Sequence, residues 1–319
     1  MRYTEEQKKI HYRKIYDLLW ENFRITYKDM SIPLKLARNT VRNRLNEALE
    51  MEYLILPQIR RRSYFGEYVY IVRVKDTFET YMKFKNNKNI VYHAVLGGYA
   101  NMWIISRGKI DIDGEILISG PRSDYHVAYA PYWSWNTSIY KMHTKLDEFN
   151  PYEYQPRNIL QTHWGEILDF WDAEYEILFR NLKYNGRKKF TRILKKNLIS
   201  RSKFYKFLDN LNKACIVFTR FFPKGMKAYD PYLFIFETDY EDFIIDLFSL
   251  LPTGSLFFKA ANKLFVYCHV EKASIRETGA EIYDITQIQL LSLINDLKKK
   301  KFIKKEFHTT FESHWTKNL

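Results

Sequence analysis

Residues 67–84 read EYVYIVRVKDTFETYMKF and residues 231–248 read PYLFIFETDYEDFIIDLF, and the likeness of these two stretches decides the fold. Each opens with an aromatic and β-branched run that suits a strand. Each then turns at an acidic residue, Asp76 or Asp239, into a stretch of helical period. A short carboxylate there can cap the first open amides of a helix. Downstream, NIVYHAVLGGYANMWIIS (89–106) and GSLFFKAANKLFVYCHV (254–270) both read as strand, tight turn, strand. In the second half TQIQLLSLINDLKKKKF (286–302) follows, with Leu290, Leu291, Ile294 and Leu297 on one helical face. KKEFHTTFES (304–313) then supplies a last strand. The unit is βαββαβ, a ferredoxin-like split βαβ, and it occurs twice. The first copy is diverged. No helix is legible in residues 109–150, and SDYHVAYAPYW (123–133) is expected to close its sheet.

A helical segment precedes each β-rich unit. In the first, the apolar spacing predicts helices over 9–22, 31–36 and 39–52, the third capped by Asn39 or Thr40. In the second it predicts helices over 173–182, 188–195 and 202–212. Three helices with a short middle one are the helix-turn-helix pattern, and the β-prone run after each suits a wing or a linking strand. The expected fold class is therefore α+β, with two winged helix-turn-helix heads and two ferredoxin-like sandwich domains. The expected boundaries are 1–62 for the first head, 63–150 for the first sandwich and 151–165 for a linker carrying Pro151 and Pro156. The second head takes 166–225 and the second sandwich 226–319.

Charge points to a polyanionic partner. The 319 residues hold 51 Lys+Arg against 37 Asp+Glu, a net charge of +14. Arg38, Asn39, Thr40, Arg42, Asn43 and Arg44 cluster at the start of the first copy's third helix. That is the end of the motif which faces base edges, and Arg and Asn make bidentate contacts to guanine and adenine. Arg60, Arg61 and Arg62 fall where a wing would meet phosphates. In the second copy, residues 183–206 hold ten Lys+Arg and no Asp or Glu. Lys188, Lys189, Arg192, Lys195, Lys196, Arg201, Ser202, Lys203 and Lys206 are the candidate contacts there. A stretch so one-sided repels itself unless a polyanion or counterions neutralise it. The bland alternative is a solvated basic surface.

Other chemistry is sparse. The two cysteines, Cys215 and Cys268, sit in apolar surroundings and leave no disulfide framework or four-cysteine zinc site. The eight histidines show no metal-ligand spacing, and no nucleophile elbow, phosphate loop, dinucleotide fingerprint or HExxH occurs. Catalytic residues, metals and cofactors are therefore expected to be absent. His93 reads as a strand residue of the core. The stretch Tyr125, Tyr129, Tyr132, Trp133 and Trp135 reads as packing. Without an apolar signal region or a long apolar run, the expectation is a cytoplasmic protein with no membrane partner.

LARNTVRNRLNEALEMEYLI (36–55) and the strand–helix–hairpin stretch over 68–105 resemble the Lrp/AsnC regulators of bacteria and archaea, as a tandem duplication in one chain. The resemblance implies a non-enzymatic transcription regulator that binds double-stranded DNA, dimerises through its sheet and senses a small-molecule effector. It places the effector site at Gly97, Gly98 and Asn101, with Asn standing where that family has Asp. Siroheme decarboxylases share the fold and use His and Arg around a tetrapyrrole. An enzyme of that kind, with His93 or His126 as candidates, is the alternative, and an RNA-binding module is another.

Overall fold

The computed structural model describes residues 3–272 and 286–316. The chain divides into two compact units, each made of two stretches. Unit 1 is Met1–Arg61 with Ile167–Ala228, and unit 2 is Arg62–Glu166 with Tyr229–Leu319.

Unit 1 holds the same arrangement twice. Helices α1 (Glu5–Glu21), α2 (Tyr27–Leu34) and α3 (Arg38–Glu50) precede strand β1 (Leu54–Arg61). Helices α6 (Ala173–Leu182), α7 (Phe190–Asn197) and α8 (Arg201–Ala214) precede β7 (Cys215–Phe221). Helix α1 starts with a capping box, in which Thr4 accepts from the Gln7 amide and Gln7 answers the Thr4 amide. Its residues Tyr12, Ile15, Tyr16 and Leu19 recur at helical spacing and are buried. Phe204, Phe207, Leu211 and Ala214 do the same on α8. Both middle helices have eight residues. Both end in a left-handed residue, a buried aliphatic residue and a helix cap: Lys35, Leu36, Ala37 and Leu198, Ile199, Ser200. The Leu36 amide donates to the Ser31 carbonyl and the Ile199 amide to the Leu194 carbonyl, so the two turns close identically.

One expectation is corrected here, and of the wing and the linking strand it is the link that forms. Helix α3 is capped at Ala37 with no side-chain bond, so Asn39 and Thr40 lie inside the helix. The runs after the third helices pair with each other, Ile59 opposite Val217 and Arg61 opposite Cys215, and form a two-stranded antiparallel link between the copies.

Unit 2 is a mixed α/β body on a nine-stranded antiparallel sheet. Its first stretch supplies β2 (Glu67–Arg73), α4 (Thr77–Lys85), β3 (Ile90–Gly98), β4 (Met102–Arg107), β5 (Glu115–Pro121), β6 (His126–Val127) and α5 (Trp135–Glu148). The second supplies β8 (Tyr229–Glu237), α9 (Glu241–Phe248), β9 (Leu256–Ala260), β10 (Lys263–Glu271), α10 (Thr286–Lys299) and β11 (Lys305–Thr316). Strand order among the described residues is β5-β2-β4-β3-β11-β8-β10-β9-β6, two quartets of the same internal order joined at β3–β11 with β6 added beside β9. Helix α4 covers the first quartet through Phe84, against Tyr70, Val72, Met102 and Ile104.

The first copy departs from expectation in three ways. The closing strand is β5, upstream of the stretch expected, of which His126 and Val127 alone form a strand, paired with β9. Residues 135–148 form α5, whose Trp135, Ile139, Met142 and Leu146 enter the core of the second quartet. Those four recur at helical spacing, but the polar and aromatic residues between them masked the period. The stretch 151–165, read as a linker, is held against α9. The Asp242 carboxylate accepts from the amides of Arg157, Asn158 and Ile159, and Tyr154, Ile159 and Leu160 pack on the core. Of the acidic caps, Asp76 accepts from the Glu79 amide, whereas α9 is capped at Tyr240 and Asp239 pairs with Lys304 at 2.7 Å. On α10, Leu290, Leu293, Ile294 and Leu297 are buried, while Leu291 is more exposed.

Candidate functional site

Partners across unit 1 sort the expected DNA contacts into two groups. Arg44 is paired with Glu47 and lies over the Tyr3 ring at 5.1 Å. Glu47 is held from the other side by Lys8 at 2.8 Å. Arg60 donates to the Gln58 side chain at 2.6 Å and to the Lys183 carbonyl at 3.3 Å. Arg61 is paired with Glu176 and sits over the Phe179 ring at 4.4 Å. Lys203 is tied to Asp172, the cap of α6, and to Glu174. In unit 2, Arg62 meets Asp124 at 2.6 Å. Carboxylates of the chain thus pair with Arg44, Arg61, Arg62 and Lys203, while Arg60 has polar but uncharged partners.

The second group stays outside. Arg38, Asn39, Arg42 and Asn43 are exposed on the first turns of α3, with Thr40 half-buried. Lys188, Lys189, Arg192, Lys195, Lys196, Arg201, Ser202 and Lys206 are exposed on α7, on α8 and in the approach to α7. Among the described residues none of these cations enters an ion pair with a carboxylate. Lys183 behaves differently: it is buried, burial lowers its pKa, and its ammonium lies 4.6 Å from the Tyr184 ring centre.

The positions expected to bind an effector make the following contacts within unit 2. Asn101 accepts from the Val74 amide at 2.9 Å and donates to the Val74 carbonyl at 2.8 Å. A Cβ at Gly97 would stand 3.0 Å from Thr310 Oγ1, and one at Gly98 (φ 108°) 3.3 Å from the His308 carbonyl. Both glycines thus allow β11 to approach β3. The equivalent turn of the second half has Ala261 and Asn262 left-handed, at φ 49° and 58°. It borders a cavity of about 590 Å³ lined among others by Tyr154, Asn158, Glu237, Asp239, Lys259 and Lys263. Its charges compensate within the wall, Lys263 with Glu237 and Lys259 with Glu241.

The histidines separate in the same way. His93 is fully buried beneath α4, its ring 4.5 Å from that of Tyr81, and burial pushes its pKa down to about 4. His126 is half-buried. Burial lowers its pKa, and Asp246 pulls the other way. One cluster was invisible along the sequence. Asp124, 2% exposed, accepts from Arg62, from the Ser63 amide at 2.7 Å and from Ser63 Oγ at 2.8 Å. His163 Nε2 stands 3.5 Å from Asp124, and its ring stacks on Tyr64 at 4.2 Å. Nearby, the fully buried Arg122 is paired with Glu67 at 2.8 Å. Positions 62, 63, 124 and 163 share no motif, so no local signal could have gathered them.

No family model matches the chain, and no curated protein matches it. Among solved structures, the chain is similar to siroheme decarboxylase NirDL. Its structure in co-complex with an iron-uroporphyrin III analogue matches 96% of this chain and 92% of that one, at 10% identity and TM-score 0.49. A second structure of that enzyme matches with the same coverage at 9% identity and TM-score 0.49. An anthrone oxidase-like protein matches 82% of this chain and 98% of its own at 7% identity and TM-score 0.28. At this level the likeness concerns the path of the chain alone. The expectation of a protein that is not an enzyme is corrected to the extent that the solved structures it is similar to are those of a decarboxylase. No described helix is long and apolar enough to cross a membrane.

Proposed function

We propose that unit 1 binds double-stranded DNA, with its two three-helix segments acting as helix-turn-helix heads and the two strand quartets of unit 2 as ferredoxin-like halves of one scaffold. The observation that carries this is the second group of cations. Arg38 and Arg42 on α3, and Lys188, Lys189, Arg192, Lys195, Lys196, Arg201 and Lys206 around α7 and α8, are exposed and enter no ion pair among the described residues. A folded unit that leaves such charge uncompensated suits a polyanion. Arg38, Asn39, Arg42 and Asn43 sit at the helix end that meets base edges in this motif, and the lysines suit phosphates. A salt titration of duplex binding by fluorescence anisotropy is the test. Log affinity should fall with log salt at about −0.9 per phosphate contact. No duplex binding at low salt sinks the proposal.

A siroheme decarboxylase-like activity is the second reading. The observation favouring it is the cluster of His163, Tyr64, Arg62 and Asp124, a histidine with arginine and carboxylate neighbours. Arg62 is engaged by Asp124, so the group left for chemistry is His163, which can move a proton. An absorbance titration of the protein with siroheme tests it. A spectral shift that His163→Gln abolishes supports the activity, and the absence of any shift removes it.

A further inference from the structure

Arg24 and Arg187 occupy the same place in the two halves of unit 1, each three residues before a middle helix, and each reaches into the other's loop. Arg24 donates to the carbonyls of Gly186 and Lys188. Arg187 donates to the carbonyls of Phe23 at 3.0 Å and Ile25 at 2.8 Å. The two loops are thereby clasped, and a cavity of about 430 Å³ opens beside them. Arg24, Arg187, Lys28 and Arg38 line it, with Thr26 and Tyr27.

Among the described residues no carboxylate lines it. Asp29, in the first turn of α2, is engaged by the Thr26 hydroxyl at 2.7 Å. Burial holds both clasp guanidiniums below the ordinary arginine range, and Arg24 is pushed further by Arg187. Carbonyl oxygens neutralise no charge, so two half-buried cations and two exposed ones face one concavity without a counter-charge among the described residues. A guanidinium has five N–H donors, and the carbonyls take two from each arginine. Tyr27 contributes further hydrogen bonding to Arg187, and its hydroxyl and that of Thr26 add polar groups to the wall. Planar guanidinium forks with a lysine and hydroxyls form the donor set of a phosphate site.

We propose that this cavity binds a phosphate group, as free phosphate or pyrophosphate or as one backbone phosphate of a nucleic acid. The site stands on its own geometry and does not require duplex binding by unit 1. The test uses the full chain, with pyrophosphate as probe and chloride at equal ionic strength as control. Pyrophosphate should raise Tm by about 2 °C or more beyond chloride. In the double variant Lys28→Gln with Arg38→Gln, both exposed positions, affinity by calorimetry should fall about tenfold or more. Arg187→Gln should fall likewise, and the exposed pair keeps the test readable if that variant unfolds. Lys195→Gln with Lys196→Gln should leave pyrophosphate affinity unchanged. Equal effects of chloride and pyrophosphate, or equal losses in the 28/38 and 195/196 variants, would overturn the site in favour of diffuse surface charge. Competition between pyrophosphate and a short duplex assigns the site to backbone phosphate, and simultaneous binding assigns it to the free anion. Pyrophosphate binding without any duplex binding defeats the DNA proposal and leaves this one standing.

Discussion

Lys35 and Leu198 hold the same left-handed backbone conformation, φ 52° and 56°, at the same point of the two halves of unit 1. Each ends a middle helix and aims the helix that follows. A Cβ is costly in this region and glycine is not. Leu198 is also 92% exposed, so it contributes little packing. Leu198→Gly should therefore stabilise the chain by about 0.5–1 kcal/mol, read as an upward shift of the urea midpoint. Leu198→Ala, which keeps the Cβ, should give no such gain.

His93 makes stability depend on pH. Its folded pKa is lowered to about 4 by burial, against an ordinary value of 6.5. Between those values the unfolded chain binds the proton and the folded chain does not. The stabilisation is complete above about pH 6.5 and is lost as pH falls toward 4, with a magnitude of about 2–3 kcal/mol. Urea unfolding at pH 7.0, 5.5 and 4.5 should show the decline, and His93→Leu should flatten it. A wild-type profile that rises toward acid contradicts the assignment.

Asp242 anchors a stretch that carries no regular structure of its own. Its carboxylate takes the amides of Arg157, Asn158 and Ile159. Removing it in Asp242→Ala leaves three donors without their acceptor, at a cost of about 2–4 kcal/mol. Hydrogen exchange should show protection lost at 157–159 first, and limited proteolysis should cut between 151 and 165 sooner.

Gly186 lies where the two loops of unit 1 meet. A Cβ there would stand 2.9 Å from a ring carbon of Phe23 and 3.3 Å from the Pro57 carbonyl. The Gly186 amide also donates to that carbonyl at 2.7 Å. Gly186→Ala should destabilise by about 1–3 kcal/mol and weaken pyrophosphate binding at the adjacent clasp. A neutral effect on the thermal midpoint would show that the loops separate easily.

The two groups of cations should respond differently to mutation. Arg42→Ala should reduce discrimination between cognate and random duplex by about 1–3 kcal/mol, as expected for a lost base contact. Replacing Lys188, Lys189, Lys195 and Lys196 should weaken all duplexes alike and flatten the salt slope. Arg44→Ala should act on stability instead, because it removes one of the two cations that hold Glu47. Equal losses on cognate and random duplex for Arg42 and the lysines would contradict this division.

The repeat, the helices of unit 1 and the placement of basic charge follow from the sequence itself. They are local properties, in which apolar spacing sets the period and a turn depends on a few neighbouring residues. Helix 173–182 was legible for that reason, and Ala173–Leu182 is its observed span. Which cations remain available was decided mostly by tertiary structure, the local pair of Arg44 with Glu47 excepted. Arg61 and Glu176 are 115 residues apart, and Arg62 and Asp124 are 62 apart. Coulomb attraction and hydrogen bonding act through space, so a run of three arginines reads as an open basic patch until the fold brings acids beside it. The helix of residues 135–148 was hidden for the same reason. Its apolar face belongs to the core of the second quartet, and that core exists only once the two halves of the chain have met.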